Sequence, residues 1–204
     1  VDGAMARLTG HHQLLTVVGL RLLSALAVVL IGIGAPRLAK GLGRDQGEAF
    51  ALSALNPLVL ITFVGGAHND SLMTGLLVLG LAFAVEKRFV LSVILIASAA
   101  AVKAPALYGL AFVAWNYLGA NVRWRDRWRP VALAGAVAGA TLTAWTFLAG
   151  FGFGWVSNLL TNGTVRSWAA PATAIGLAIS DIAHGLGSGI STTSVLSVTR
   201  FLGL

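Results

Sequence analysis

The chain is a succession of long apolar runs separated by short polar connections, and this pattern limits what it can fold into. The runs cover residues 13–35, 49–65, 71–85, 89–118, 131–150 and 171–190, and another begins near Ser194. Hydrophobic residues make up 57% of the chain and charged residues only 10%, whereas soluble domains carry about 25% charged residues. The sequence therefore predicts an integral membrane protein.

The run at 89–118 is too long for one helix that crosses a bilayer. At about 1.5 Å per residue it would reach roughly 45 Å, whereas the hydrocarbon core is about 30 Å thick. Pro105 cannot donate a backbone hydrogen bond and disfavours helical backbone at Ala104, and Lys103 is costly in a lipid-exposed helix. We therefore expect two helices here, at 89–102 and 106–118.

The connections between the runs alternate in charge. Those at 36–48, 86–88 and 121–129 are rich in Arg and Lys in a chain whose net charge is +7. The positive-inside rule predicts that these three face the cytoplasm. The connections between them, which include the turns "GGAHND" and "VKAP" and the loop 151–170, then lie on the outer side.

These spans predict an all-α fold, a polytopic membrane helix bundle of about seven or eight transmembrane or partly re-entrant helices. Several spans are shorter than the roughly 20 residues that a crossing needs, so we expect some to end in a protein-lined cavity. Residues 1–204 are expected to form a single transmembrane domain. Because the chain starts at Val1 and stops within an apolar run, we interpret it as an internal piece of a longer membrane protein.

The turn "GGAHND" is the most polar interruption of the apolar sequence. Its glycines suit a helix end, and Asn69 or Asp70 suits the cap of the next helix. A cap does not require His68, so the alternative is a site in which Asp70 or His68 accepts a proton. Three adjacent residues cannot easily converge on one ion, so we expect no metal site and no cofactor. A metal ion, if one bound, would be Mg or Mn.

Two cations are predicted on the same outer side. Lys103 lies in the "VKAP" turn and Arg166 in the loop 151–170. Together they could hold a phosphate, although a lysine near a helix end also snorkels to lipid headgroups. Trp168 follows in the same loop, where the alternative is an aromatic belt at the membrane surface.

Two further charges interrupt apolar runs, and one basic segment lies between runs. Arg21 and Asp181 are well inside apolar sequence, so we expect them to face the bundle interior and to pair with each other. The segment "NVRWRDRWRP" mixes Arg with Trp. Because it adjoins two spans, we interpret it as an anchor on anionic membrane lipids and expect no nucleic-acid partner.

Three blocks of the sequence carry a resemblance to a known family. They are "LNPLVLITFVGGAHNDSLMTGLLVLGLAFA", "AAAVKAPALYGLAF" and "TNGTVRSWAAPATAIGLA". In this order they resemble the polyprenyl-phosphomannose-dependent α-1,6-mannosyltransferases of actinobacterial lipomannan and lipoarabinomannan synthesis, which are membrane glycosyltransferases of the GT-C class. The resemblance covers most of the chain and includes His68, Asn69, Asp70, Lys103, Pro105, Arg166 and Trp168.

The resemblance implies transfer of a mannosyl unit from a lipid-linked sugar phosphate donor to a lipid-anchored glycan acceptor at the outer face of the cell membrane. It implies catalytic roles for Asp70 and His68. Substrate-binding roles are implied for Asn69, Lys103, Arg166 and Trp168. One departure is that the main catalytic acid of this class usually lies in the first large outer loop, where this chain has only Asp2. Asp70 could therefore be the base or a supporting residue.

Two other functions fit the sequence pattern. A membrane transporter also has broken helices with ionisable residues at depth, but it commonly carries an internal repeat, and none stands out here. A non-catalytic membrane scaffold would use the polar turns only as helix caps. A lipid-linked donor would also explain why no Gly-rich phosphate loop follows a strand.

Overall fold

The computed structural model describes residues 2–10, 12–66, 69–119, 122–150, 171–185, 187 and 189–202. Every regular element in these ranges is helical, which confirms the predicted all-α membrane bundle. The chain divides into two compact units, Val1–Gly152 and Phe153–Leu204. The prediction of a single transmembrane domain over residues 1–204 stays a prediction, and each unit is described by itself.

The described residues of the first unit form eight numbered helices, with short 3₁₀ or π segments between some of them. Its elements are α1 (Asp2–Leu8), α2 (Gln13–Gly41), α3 (Gln46–Ser53), α4 (Pro57–Val59), a π-helix (Leu60–Gly65), α5 (Asn69–Val85), α6 (Phe89–Val102), a 3₁₀ turn (Ala104–Ala106), α7 (Leu107–Asn116), a 3₁₀ turn (Trp124–Asp126) and α8 (Trp128–Ala149). The second unit contains α9 (Pro171–Gly185) and α10 (Thr192–Leu202).

Three stretches of helix in the described residues are long and apolar enough to cross a membrane, namely Gln13–Gly41, Gln46–Gly65 and Trp124–Ala149. Two shorter apolar helices, Asp70–Val85 and Phe89–Val102, accompany them. Only 17% of the most apolar window of α2 is buried. Such an exposed apolar surface is expected where the solvent is lipid rather than water. The predicted total of seven or eight membrane helices stays a prediction.

The break predicted in the run 89–118 is present. Helix α6 ends at Val102, and Lys103 has extended backbone (φ −154°, ψ 130°). Pro105 lies in the 3₁₀ turn that follows, where its missing N–H group costs no helical hydrogen bond. Helix α7 then begins at Leu107 and ends at Asn116, slightly inside the predicted bounds.

Helix α2 continues through Pro36 to Gly41, beyond the end predicted at residue 35. Proline removes a backbone hydrogen bond inside a helix, so other contacts must support this last part. Arg37 forms two hydrogen bonds with Glu86, of 2.8 and 2.9 Å, and Ala39 is buried. Contacts with the end of α5 therefore hold α2 in a helix past its proline.

Helices α2 and α5 pack in parallel through glycines. A Cβ atom on Gly34 would lie 2.9 Å from the backbone of Leu79, and one on Gly75 would lie 2.7 Å from the carbonyl oxygen of Ala27. The hydroxyl of Ser71 donates to Ser24 Oγ at 3.3 Å in the same contact. Small residues allow this approach, which is the usual way that helices associate in lipid.

Helices α6, α7 and α8 share the apolar core of this unit. Its buried members are Phe89, Val93, Ile96, Ala97, Val113, Ala114, Ala134 and Ala138. Trp145 on α8 also donates its indole N–H to Ser98 Oγ on α6 at 2.9 Å. Helix α6 therefore packs against both its hairpin partner α5 and the pair α7 and α8.

Side-chain contacts bring the three basic connections to one end of the first unit, which we call the basic end. Arg37 meets Glu86, and the hydroxyl of Tyr117 donates to the Lys87 carbonyl at 3.2 Å. Arg127 is buried and donates to the carbonyls of Trp115 and Gly119, the latter at 2.7 Å. These contacts agree with the prediction that the three basic connections share one side, and the face of the membrane that this side meets stays a prediction.

In the described part of the second unit, α9 and α10 meet at small and hydroxyl-bearing residues. Ser180 donates to Thr192 Oγ1 at 2.8 Å, and a Cβ atom on Gly176 would lie 2.5 Å from Thr199 Oγ1. Asp181 is exposed on this unit and Arg21 is exposed on the first. The predicted interior position is therefore not found for either side chain within its own unit. Their mutual pairing stays a prediction.

Replacing Gly34 with Ala should destabilise the first unit, because the new methyl group would meet the backbone of α5, which cannot move aside as a side chain can. The expected loss is about 1–3 kcal/mol, typical of overpacking. The measurement is thermal unfolding of the purified protein in detergent. Gly139→Ala on α8 is the matched control, since nothing lies within 4 Å of its Cβ position. Equal melting temperatures for the two variants would contradict the close packing of α2 on α5.

Candidate functional site

The structure describes the side chains of two of the six predicted site residues, Asp70 and Lys103. His68, Arg166 and Trp168 lie outside the described residues. Asn69 begins α5, and only its backbone is described. The predictions for these four residues stay predictions.

Asp70 lies in the first turn of α5. The backbone N–H groups of a first helical turn point toward the helix start, and the helix dipole favours a carboxylate there. The carbonyl oxygen of Asp70 accepts a hydrogen bond from the Thr74 hydroxyl at 2.7 Å. The local helix therefore holds a negative charge at this end of α5 without burying it.

Lys103 lies at the facing end of α6, where the helix has just ended. Its ammonium group donates to Asp70 Oδ1, with a distance of 2.5 Å between Nζ and the oxygen. The two side chains are 52% and 43% exposed, respectively. An exposed ion pair contributes only about 0–1 kcal/mol to stability in water. Stability alone is therefore a weak reason for placing this pair here.

The pairing follows from the antiparallel hairpin that α5 and α6 form. Their connection is the tight turn Glu86-Lys87-Arg88, and Asp70 precedes it by almost as many residues as Lys103 follows it. Residues that are equally far from a hairpin turn lie level with each other. A Cβ atom on Gly80 would lie 2.6 Å from Cγ1 of Ile96, so the two helices also touch midway.

Sequence reasoning assigned Asp70 and Lys103 to the same outer side but missed that they form an ion pair. The signal was present, because the two helical runs on either side of the "EKR" turn have nearly equal lengths. The π-helix Leu60–Gly65 was also missed. It ends at the first glycine of the "GGAHND" turn, and π-helical segments are frequent at functional sites.

The exposed pair can act on an anion. The Lys103 ammonium carries three N–H donors, and one of them is used by Asp70. The other two can meet phosphate oxygens, and the carboxylate can accept a proton from a hydroxyl. Arg21 is exposed on α2 one turn before Ser24, and Ser24 is bonded to Ser71 beside Asp70. It is therefore a further cation close in height to the pair.

No group of three potential metal-binding side chains occurs among the described residues. The adjoining His68 lies outside these residues, so the predictions of no metal site and no cofactor stay predictions. In the part that is described, the ion pair supplies one carboxylate and one ammonium, and Arg21 is a further cation nearby.

Residues 1–119 match the N-terminal domain of the α-(1→6)-mannopyranosyltransferase family. The chain belongs to this family. The resemblance found in the three sequence blocks is therefore confirmed.

Named members of the family match almost the whole chain. An α-(1→6)-mannopyranosyltransferase A of Mycobacterium tuberculosis is 34% identical over 97% of this chain and 39% of its own length. A probable α-(1→6)-mannopyranosyltransferase of Mycolicibacterium smegmatis is 32% identical over 100% of this chain and 42% of its own length. The α-(1→6)-mannopyranosyltransferase A of Corynebacterium glutamicum is 29% identical over 100% of this chain and 45% of its own length.

The chain thus spans about two fifths of the length of these family members. No solved structure matches it.

The ion pair predicts that cysteines at positions 70 and 103 can be joined by a short bifunctional thiol reagent. The chain contains no cysteine, so the Asp70→Cys, Lys103→Cys variant offers one reactive pair, and mass spectrometry should find the linked peptides. Asp70→Cys with Arg88→Cys is the control. Its two positions lie at opposite ends of the hairpin, roughly 25 Å apart along the helix at about 1.5 Å per residue. Equal linking in both variants would contradict the geometry.

Proposed function

We propose that the chain is part of a multi-pass membrane glycosyltransferase that moves a mannosyl unit from a polyprenyl-phosphate donor to a lipid-linked glycan acceptor. The observation that carries the proposal is the exposed Asp70–Lys103 pair in a member of the α-(1→6)-mannopyranosyltransferase family. It joins a carboxylate that can take a proton to a cation that can hold a phosphate.

The pair lies at the end of the first unit opposite the basic end. Arg37, Lys87 and Arg127 mark the basic end, and the positive-inside rule assigns such an end to the cytoplasm. Asp70 and Lys103 then open toward the extracytoplasmic face. A donor and an acceptor that are both anchored in the membrane can meet there without leaving the bilayer surface.

In the proposed reaction, an acceptor hydroxyl attacks the anomeric carbon of the mannosyl donor from the side opposite the phosphate. A new carbon–oxygen bond forms while the bond from the anomeric carbon to the phosphate oxygen breaks, and its electron pair stays on the phosphate. The hydroxyl proton passes to a carboxylate. The configuration at the anomeric carbon is inverted, and the second product is the polyprenyl phosphate.

Lys103 would act on the departing phosphate. Its free N–H donors can stabilise the negative charge that develops on the phosphate oxygen, and such electrostatic stabilisation is commonly the largest contribution to catalysis. Arg166 would add a bidentate cation. Asn69 and Trp168 would contact the donor or the acceptor, and His68 would assist proton transfer.

Asp70 has two roles that fit its position, because it can accept the hydroxyl proton or hold Lys103 in place. In the structure its carboxylate is engaged with the Lys103 ammonium. A phosphate that bound Lys103 would compete for this ammonium and leave the carboxylate more available as a proton acceptor. Donor binding and activation of the acceptor would then be coupled through this one ion pair.

The test is a mannosyl-transfer assay in membranes with the full-length protein, polyprenyl-phosphomannose and a mannosyl-lipid acceptor. Asp70→Asn should lower kcat by about 10²–10⁴-fold if this carboxylate is the general base. Lys103→Ala should also lower transfer strongly, whereas Lys103→Arg should recover part of it because the charge is kept. Lys40→Ala, an exposed lysine in the last turn of α2, should transfer normally.

The same variants separate the two roles of Asp70. If Asp70 only positions Lys103, Asp70→Asn should mainly raise the KM for the donor, because the amide holds the ammonium less firmly than the carboxylate does. The kcat should change little, since the amide oxygen still accepts a hydrogen bond from the ammonium. Near-normal transfer in both Asp70→Asn and Lys103→Ala would refute the site and would favour a scaffold role for these turns. Equal transfer from a nucleotide-activated mannose would refute the donor class.

A further inference from the structure

An open groove lies at the basic end, beside the tight turn between α5 and α6. It has a volume of about 510 Å³, within the roughly 300–1,000 Å³ range of ligand sites. Its lining combines two cations with apolar and aromatic side chains, namely Lys87, Arg88, Phe89, Val90, Leu91, Tyr117 and Leu133. This groove is at the opposite end of the hairpin from Asp70 and Lys103.

The turn at the mouth of the groove carries more positive than negative charge. Glu86 is its acidic residue, and both carboxylate oxygens accept hydrogen bonds from Arg37. Arg88 Nε is 3.9 Å from Glu86, beyond hydrogen-bond distance. Lys87 donates to a neutral carbonyl, that of Tyr117, at 3.3 Å. The two cations Lys87 and Arg88 are therefore balanced only by Glu86 within this turn, and the turn keeps an excess positive charge that can attract an anion.

Lys87 has an unusual backbone conformation. Its φ of 63° is the only positive value at a non-glycine residue in the described part of the chain. Helices commonly end on a left-handed residue, and glycine is favoured there because other residues crowd their own Cβ atom. Lys87 nevertheless occupies this position, and its Nζ is 5.5 Å from the centre of the Tyr117 ring. Unfavourable backbone conformations are often found at binding sites, which suggests that the ammonium group takes part in binding.

The rest of the groove is apolar and faces outward. Val90 and Leu133 are each 48% exposed and Leu91 is 38% exposed. Phe89 is buried beneath them and packs on the Tyr117 ring, with 4.3 Å between ring centroids. Val90 and Leu91 lie in the first turn of α6, and Leu133 lies near the start of α8, so the apolar wall runs from the cations toward the membrane interior.

The geometry points to a binding site for an anionic phospholipid from the leaflet at the basic end. The lipid phosphate lies between Lys87 and Arg88, and an acyl chain follows Val90, Leu91 and Leu133. Positive charge at the membrane surface beside an apolar wall suits an anionic lipid, because the headgroup can contact the cations while the acyl chain contacts the apolar side chains. The inference does not depend on the proposed transfer reaction, since it concerns the other end of the hairpin.

The test is a titration of the purified protein in detergent with a short-chain phosphatidylglycerol and, separately, with the matching phosphatidylcholine. Each cation near a membrane surface contributes about 1 kcal/mol to the binding of anionic lipid, which is about fivefold in Kd. Lys87→Asn and Arg88→Gln should each raise the phosphatidylglycerol Kd about fivefold. Asparagine tolerates the left-handed backbone, so the first variant should fold normally.

Lys40→Gln is the matched control, because it removes one exposed lysine from the same end outside the groove and should leave the Kd unchanged. Leu91→Gln should weaken the binding of phosphatidylglycerol without changing the charge. Equal weakening by Lys40→Gln would show only a diffuse surface charge and overturn the site. Equal binding of phosphatidylcholine, or full displacement of the lipid by glycerol phosphate at comparable concentration, would overturn it as well.

Discussion

The antiparallel contact of α5 with α6 determines most of what this chain can do. Gly80 lies so close to α6 that a side chain there would collide with Ile96, and this contact holds the two helices level along their length. Asp70 and Lys103 consequently meet at one end, while Glu86, Lys87 and Arg88 form the turn at the other. The candidate transfer site and the candidate lipid groove are thus opposite ends of a single hairpin.

The packing around this hairpin uses small residues rather than a large apolar core. Gly34 and Gly75 let α2 approach α5 until backbone meets backbone, and Ala134 and Ala138 face α6 from α8. Lipid tails are as apolar as leucine, so burying large apolar side chains yields little free energy in a membrane. Close approach and polar links such as Arg37–Glu86 therefore replace the hydrophobic effect as the source of specific contact.

Local chemistry explains which features the sequence predicted well. Pro105 cannot donate a backbone hydrogen bond and disfavours α-helical backbone in the residue before it, and Lys103 is costly in a lipid-exposed helix, so the break at Lys103 was predictable. The order of the basic connections likewise predicted which helix ends share a side. The continuation of α2 through Pro36, the left-handed backbone of Lys87 and the π-helix Leu60–Gly65 were not predictable. Each departs from its local preference, and for Pro36 the hydrogen bonds between Arg37 and Glu86 supply the compensation.

The sequence by itself determined that this is a membrane protein, that its spans are helical, where the central break lies and to which family the chain belongs. It also placed Asp70 and Lys103 on one side. Only the tertiary structure decided that their side chains form an ion pair, and that the excess charge of Lys87 and Arg88 borders an apolar groove. Charge and hydropathy are properties of single residues and short runs, whereas a 2.5 Å contact between Asp70 and Lys103 depends on how two helices are aligned and rotated against each other.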